Sequence, residues 1–228
     1  SFPGATVKPA RLRPVNGAVL ADYGWLKQAG GATAAIPMGS LARHLRPRID
    51  SFPSPHAFLV PDGQETARWK KMFGENAIGI CWRSGKAGGH RAIQYAPLEA
   101  WATFLRKMPG TPVCVQYDAM AEEIAALEAM SGRTIVVPDG IDQKQELDRT
   151  CALLAALDAV VTAPTAVAWA AAGSGVPTFK ILYDTSWTAL DQTHEPFAPS
   201  CVCVMPDVRG DWADTFGKAR ALIAQLPI

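Results

Sequence analysis

The chain has 228 residues, a formal net charge of +1, 49% hydrophobic and 19% charged residues, a balance that describes a globular protein able to bury a substantial core. Near-neutral charge argues against a nucleic-acid or membrane-surface partner, and no apolar run approaches the ~20 residues of a membrane span. No basic-then-apolar leader is visible, and five cysteines without framework spacing suggest reduced thiols and a cytoplasmic location.

Ser1 to Val7 reads as the end of a loop running into a strand, and without an initiator Met it is expected to continue a longer chain. Val19 to Ala29 has helical spacing, with Leu20, Tyr23 and Leu26 on one side and Gly30-Gly31 as the stop. Ala32 to Ile36 is expected as a short strand, followed by Ser40 as N-cap of a brief helix, Leu41 to Leu45. From Arg46 to Pro61 four prolines keep the chain extended, which predicts a connection between two lobes, residues 1–61 and 62–228.

Beyond Asp62, an expected cap, strands and helices alternate. Strands are predicted over Ala77–Trp82, Pro112–Tyr117, Thr134–Val137, Asp158–Thr162, Thr178–Leu182 and Val202–Val204. Helices are predicted to about Phe73, then over Leu98–Met108, Ala119–Met130, Gln145–Leu157, Ala166–Ala172 and Asp211–Leu226. The pattern predicts an α/β fold with a doubly wound parallel sheet, Rossmann-like, covered by helices on both faces. Cys81, Cys114 and Cys151 fit buried apolar positions, and Cys201 and Cys203 share one face of a strand. No His or Cys cluster accompanies that last pair, so no metal is expected. His44, His56 and His194 read as surface or interlobe residues.

In such a sheet, ligands sit beyond the carboxyl ends of the strands. The turn Ala163-Pro164-Thr165-Ala166 opens an uncharged, Ala-rich helix whose first-turn N–H groups suit a phosphate; packing alone would also account for such a unit. After the first strand of this lobe, Arg83 to Arg91 combines three glycines and four potential cations with no carboxylate. Glycines permit close backbone approach and Arg or Lys contact phosphate oxygens, although a solvated surface loop has the same composition. It has neither the Walker nor the dinucleotide order. Gln116 and Tyr117 suit a base or ribose. The loop Tyr183-Asp184-Thr185-Ser186-Trp187 brings further polar and aromatic groups to the same edge, and Asp142, Asp148 and Asp184 fit either ligand contacts or local caps.

Gly79-Ile80-Cys81-Trp82-Arg83-Ser84-Gly85, the later Arg91, Val115-Gln116-Tyr117-Asp118, Leu153 to Asp158, and Pro164-Thr165-Ala166-Val167-Ala168 through Gly175-Val176-Pro177 together resemble the C-terminal half of GT-B glycosyltransferases. The nearest likeness is to bacterial domains found behind tetratricopeptide repeats, with more distant similarity to heptosyltransferases and O-GlcNAc transferases. It covers roughly Ser1 to Leu226, with Ser1-Phe2-Pro3-Gly4 and Pro37-Met38-Gly39-Ser40-Leu41 fitting the later part of the smaller N-terminal α/β lobe.

The resemblance implies a glycosyltransferase that uses a nucleotide-sugar donor as substrate, with no cofactor or metal, and a protein acceptor presented by tetratricopeptide repeats of the same chain. It implies phosphate contacts from Ser84, Gly85, Lys86 and Arg91, with Arg91 foremost, and from Thr165 and Ala166. Nucleoside contacts fall on Gln116 and Tyr117, with Asp142 at the same edge. The family's Asp-Thr-Ala-Val-Ala-His-Leu-Ala-Gly-Ala-Leu-Gly-x-Pro motif is altered here. Pro164 replaces the Asp, Trp169 the His, and Ala172-Gly173-Ser174 the Gly-Ala-Leu. Removal of two polar groups makes a non-catalytic GT-B-like binding module the competing expectation.

Overall fold

The computed structural model describes residues 4–6, 8, 11–52, 57–85 and 88–227, apart from the side chains of Arg11, His90 and Arg91. The chain divides into two compact units, Ser1–Phe52 and Pro53–Ile228. Most of the expected strand entry at Ser1–Val7 and the connection at Pro53–His56 lie outside the described residues.

In the smaller unit β1 (Arg11–Val15) and β2 (Ala18–Asp22) pair antiparallel. Asn16 and Gly17 join them with φ of 50° and 79°, the left-handed pair that a two-residue hairpin turn requires. The helix predicted over Val19–Ala29 is therefore wrong at its front half, and only α1 (Trp25–Gln28) is helical. Leu20, Tyr23 and Leu26 have helical spacing, but the Asn-Gly pair just before that window fixes the hairpin. Gly30 and Gly31 (φ 86° and 85°) end α1. The strand predicted over Ala32–Ile36 does not form; these residues are exposed, and an extended segment without a pairing neighbour has no ladder to hold it. α2 (Leu41–Leu45) lies where expected, although Ser40 occupies its N-cap without a side-chain cap bond.

The larger unit starts with segment 57–59 bound to its own body, since Phe58 N and Leu59 N both donate to Gly173 O at 2.9 and 2.8 Å. That places the partition nearer Phe52 than the predicted Asp62. Asp62 caps α3 (Gly63–Phe73) by accepting from Glu65 N at 2.7 Å. Then follow β3 (Ala77–Cys81), α4 (Leu98–Lys107), β4 (Thr111–Cys114), α5 (Ala121–Ser131), α6 (Leu147–Ala155), β5 (Ala159–Thr162), α7 (Ala166–Gly173), β6 (Thr178–Ile181), β7 (His194–Glu195), β8 (Ala198–Val204) and α8 (Trp212–Ile223).

The sheet order is β4-β3-β5-β6-β8-β7, parallel except for the β7–β8 pair. Alternation along the buried strands splits the core between two layers of helices. Ile78 and Ile80 join Trp101, Phe104, Phe216 and Ile223 on one face. Ala77 and Cys81 join Trp69, Phe73, Leu153 and Val167 on the other. The predicted doubly wound architecture is thus present. No helix among the described residues is long and apolar enough to cross a membrane.

Two strand expectations change at the sheet margins. Thr134–Val137 contributes only a bridge at Val136, with Cys114 N donating to Val136 O and Val136 N to Pro112 O. The next donor on that ladder would come from residue 138, a proline without an N–H. β8 begins at Ala198 rather than Val202, and β7 adds an antiparallel edge. Pro199 is tolerated because the pairing of β8 with β6 begins only at Cys201.

Gly110 sits in the left-handed region (φ 71°), and a methyl group there would fall inside contact distance of the Asn76 carbonyl oxygen. That oxygen already accepts from Thr111 N at 2.7 Å and cannot swing away. Gly110→Ala is expected to lower stability by about 2–3 kcal/mol in urea unfolding, and a loss within about 0.5 kcal/mol would contradict the assignment.

Candidate functional site

The carboxyl ends of the central strands open onto a cleft of about 650 Å³. One side is formed by Ser84, Tyr117, Pro164, Thr165, Ala166 and Trp169. β5 ends at Thr162, and Ala163 and Pro164 turn the chain into α7. Thr165 is its N-cap in extended conformation, with Oγ1 accepting from Val167 N at 3.3 Å. The same hydroxyl lies 3.3 Å from Thr162 Oγ1 and 3.6 Å from Cys81 Sγ, and Thr165 is buried. Its role is to fix the helix start. Ala166, exposed on the cleft, opens the first turn; Val167 N is taken by the Thr165 hydroxyl and Ala168 N by the Thr165 carbonyl, so the Ala166 N–H is the first-turn donor that faces the cleft. Ala168, Ala171 and Ala172 are fully buried, or nearly so; their small side chains let α7 lie close to its neighbours.

The predicted nucleoside residues separate. Tyr117 lines the cleft, and its hydroxyl accepts from Gly85 N at 2.8 Å and lies 3.3 Å from Ser84 Oγ. Ser84, Gly85 and Tyr117 are thereby brought together. Gln116 is buried instead. Its Oε1 accepts from Trp82 N at 3.1 Å and Arg83 N at 3.0 Å, while its Nε2 donates to Asp118 Oδ1 at 2.7 Å. It ties the end of β3 to the end of β4 rather than facing the cleft. Asp142 is a cap, its Oδ1 accepting from Lys144 N and Gln145 N at 3.0 and 3.1 Å, and it does not line the cleft.

Of the basic loop, Lys86 and the side chain of Arg91 lie outside the described residues; the backbone of Arg91 is in a 3₁₀ turn, Gly89–Gln94. Arg83 is committed elsewhere. Its guanidinium makes a two-pronged pair with Glu123 at 2.6 and 2.7 Å and reaches Asp118 Oδ1 at 3.2 Å. Burial pushes the Glu123 carboxyl up, but the Arg83 hydrogen bonds, the Met120 N–H and the Arg83 charge outweigh it and hold Glu123 below its ordinary value. A carboxyl depressed in the folded state contributes stability above its unfolded pKa and loses it as pH falls through the folded one. Acid titration of stability should therefore show a limb below about pH 4.5, which Glu123→Gln flattens; an unchanged limb in that variant would refute the coupling.

Burial raises the Cys81 thiol to about 11, so it is neutral at physiological pH and packs behind Thr165 rather than lining the cleft. Cys114, Cys201 and Cys203 are also free and buried, and Cys151 is free and half-buried. Among the described residues no three His, Cys, Asp or Glu side chains cluster as a metal site. His44 is exposed, His194 half-buried in β7, and His56 outside the described residues.

On the far side of the cleft, the loop Tyr183-Asp184-Thr185-Ser186-Trp187 lies at the ligand edge as the sequence reading expects, whereas Lys180 and Arg209 are absent from that reading. Lys180 on β6 is buried and ion-paired with the fully buried Glu195 on β7. Its Nζ donates to Ser186 Oγ at 3.0 Å and lies 5.8 Å from the Trp169 ring centre. The signal for it was a lysine inside an apolar strand, Phe179-Lys180-Ile181, since a buried charge demands a partner. Arg209 and Asp184 pair at 3.1 Å on the same rim.

No protein-family model matches the chain. Among solved structures, the E. coli ADP-heptose lps heptosyltransferase II superposes with a TM-score of 0.53 at 17% identity, covering 80% of this chain and 58% of that one. The chain has a GT-B-like glycosyltransferase fold. E. coli heptosyltransferase WaaC with ADP-2-deoxy-2-fluoro heptose is also similar, with a TM-score of 0.46 and 11% identity over 88% of this chain and 53% of that one. In sequence, Protein FlbA of Caulobacter vibrioides is 32% identical over 222 residues. The match takes in 96% of this chain and 37% of FlbA, so the chain spans little over a third of that relative's length.

Proposed function

We propose that this chain is the donor-binding part of a glycosyltransferase that moves a sugar from a nucleotide-sugar donor to a protein acceptor, without a metal cofactor. The observation that carries the reading is the position of the cleft. It lies at the carboxyl edge of a parallel sheet with Ala166, the exposed first residue of α7, in its wall, where a helix start stabilises phosphate charge. The heptosyltransferase-like fold supports the same reading by analogy.

In this scheme the leaving group is a nucleoside diphosphate, and its developing charge is what the site must stabilise. The Ala166 N–H at the helix start, the Thr165 cap, and Ser84 and Gly85 face the phosphates. Lys180 and Arg209 already have carboxylate partners, so the cationic part falls to Lys86 and Arg91. Tyr117 supplies the nucleoside surface, with Gln116 and Asp142 shaping the strand end and the following turn. The reading includes tetratricopeptide repeats in the full-length chain and a bacterial cytoplasmic setting; a bacterial relative supports its bacterial part.

A second reading, a binding module without turnover, is favoured by Pro164 and Trp169, which bring no carboxylate or imidazole to the cleft wall. Calorimetric titration of the full-length protein with UDP, GDP, ADP and CMP and their sugar conjugates tests both. One nucleotide family is expected to bind and to donate its sugar to a protein acceptor. Binding without transfer to any acceptor would select the second reading, and absence of binding to all of them would reject both.

A further inference from the structure

Trp187 lines the cleft yet is 88% exposed. A large aromatic ring left in water is a cost unless something covers it. Its neighbours show that the exposure is built. Ser186 Oγ accepts from Lys180 Nζ at 3.0 Å and lies 2.8 Å from Thr188 Oγ1, which donates to Glu195 Oε1 at 2.7 Å. Trp187 therefore stands between two residues pinned to a buried ion pair. The turn closes behind it through Ala189 N donating to Ser186 O at 3.1 Å, and Ala189 is buried. Burying an ion pair carries a desolvation cost, and here the pair holds a bracket from which one indole projects into the cleft.

The sheet order gives the indole a position along a ligand. Tyr117 follows β4, the helix start at Thr165 and Ala166 follows β5, and Trp187 follows β6, in a sheet ordered β4-β3-β5-β6. Strand spacing puts β4 and β6 themselves about 14 Å apart, and the helix start after β5 falls between the two loops that carry the aromatic rings. Aromatic surface, phosphate site and second aromatic surface repeat the order of base, diphosphate and sugar in a nucleotide sugar.

We propose that Trp187 is the stacking platform for the pyranose ring of the donor. The apolar C–H face of the sugar lies on the indole, and its hydroxyls turn toward the Asp184 carboxylate and Thr185 hydroxyl on the same wall. This rests on the cleft being a nucleotide-sugar site, as proposed above. Ser186 and Thr188 are positioning residues that act through the bracket.

The test uses the full-length protein labelled with 5-fluorotryptophan, the Trp187 resonance being assigned by its loss in Trp187→Phe. UDP, GDP, ADP, CMP, their sugar conjugates and free methyl pyranosides are titrated, with calorimetry in parallel on Trp187→Ala. The bare nucleotide is expected to leave the Trp187 resonance in place and to bind both proteins equally. The sugar conjugate is expected to move the resonance and to lose about fivefold to twentyfold in affinity in Trp187→Ala, with a smaller loss in Trp187→Phe. Conjugates that bind without moving the resonance, or that bind Trp187→Ala as tightly, overturn this inference and leave the nucleotide-sugar reading intact. Failure of every nucleotide to bind rejects that reading and this one together. A resonance moved by methyl pyranosides alone also overturns it, in favour of an acceptor sugar.

Discussion

Glu195→Ala is expected to lower stability by about 3–5 kcal/mol and the Tm by about 6–20 °C. Lys180 is buried against Glu195, and Glu195 is fully buried. Removing the carboxylate leaves an ammonium in the protein interior with no counter-charge among its described contacts, the neutral Ser186 Oγ and Trp169 ring. It also removes the acceptor for Thr188 Oγ1 and for the Cys203 thiol, which donates at 3.6 Å. All of these bonds fall on Oε1; Oε2 is buried with no partner among the described residues, so the pair is imperfectly satisfied even when intact. Exchanging both charges, Lys180→Met with Glu195→Leu, should therefore recover most of the loss. Urea and thermal unfolding of Lys180→Met, Glu195→Leu and the double measure the coupling. A double variant as unstable as Glu195→Ala would show that the lost hydrogen bonds of Ser186, Thr188 and Cys203, and not the stranded charge, dominate.

Arg91→Ala should weaken binding of the cognate nucleotide by about tenfold to a hundredfold. That corresponds to one charge-assisted contact to phosphate, about 1.5–3 kcal/mol. Arg83, the other arginine in the loop, has its guanidinium occupied by Glu123 and Asp118, and Lys180 and Arg209 are paired on the opposite wall. Arg91→Lys should keep part of the affinity as a point charge without the two-pronged geometry. The wild-type affinity should fall with added salt more steeply than that of Arg91→Ala. Calorimetry at two ionic strengths reads both effects, and a change of less than about threefold, under 1 kcal/mol, would remove Arg91 from the site.

The fold was legible where local chemistry agreed with the tertiary arrangement. Asp62 and Asp211 cap the helices they were expected to cap, and Thr165 marks the start of α7, because capping needs only neighbouring backbone. The hairpin at Asn16-Gly17 was equally local, but a helical spacing of Leu20, Tyr23 and Leu26 concealed it. Long-range partners were not legible. Glu123 is 40 residues from the Arg83 it holds, and nothing in Gln116-Tyr117 says that the amide turns inward while the ring turns out. Trp187 was legible as an aromatic at the ligand edge, but not the ion pair behind it, since Lys180 and Glu195 lie on two separate strands.

Among the described residues, both margins of the sheet are short. On one side β4 accepts only the Val136 bridge, and Pro138 ends it. On the other, β7 is two residues long and carries Glu195 inward. A short edge strand with an inward charge offers a poor template to a second chain. The buried glutamate thus helps keep the sheet from joining edge to edge with its own copies.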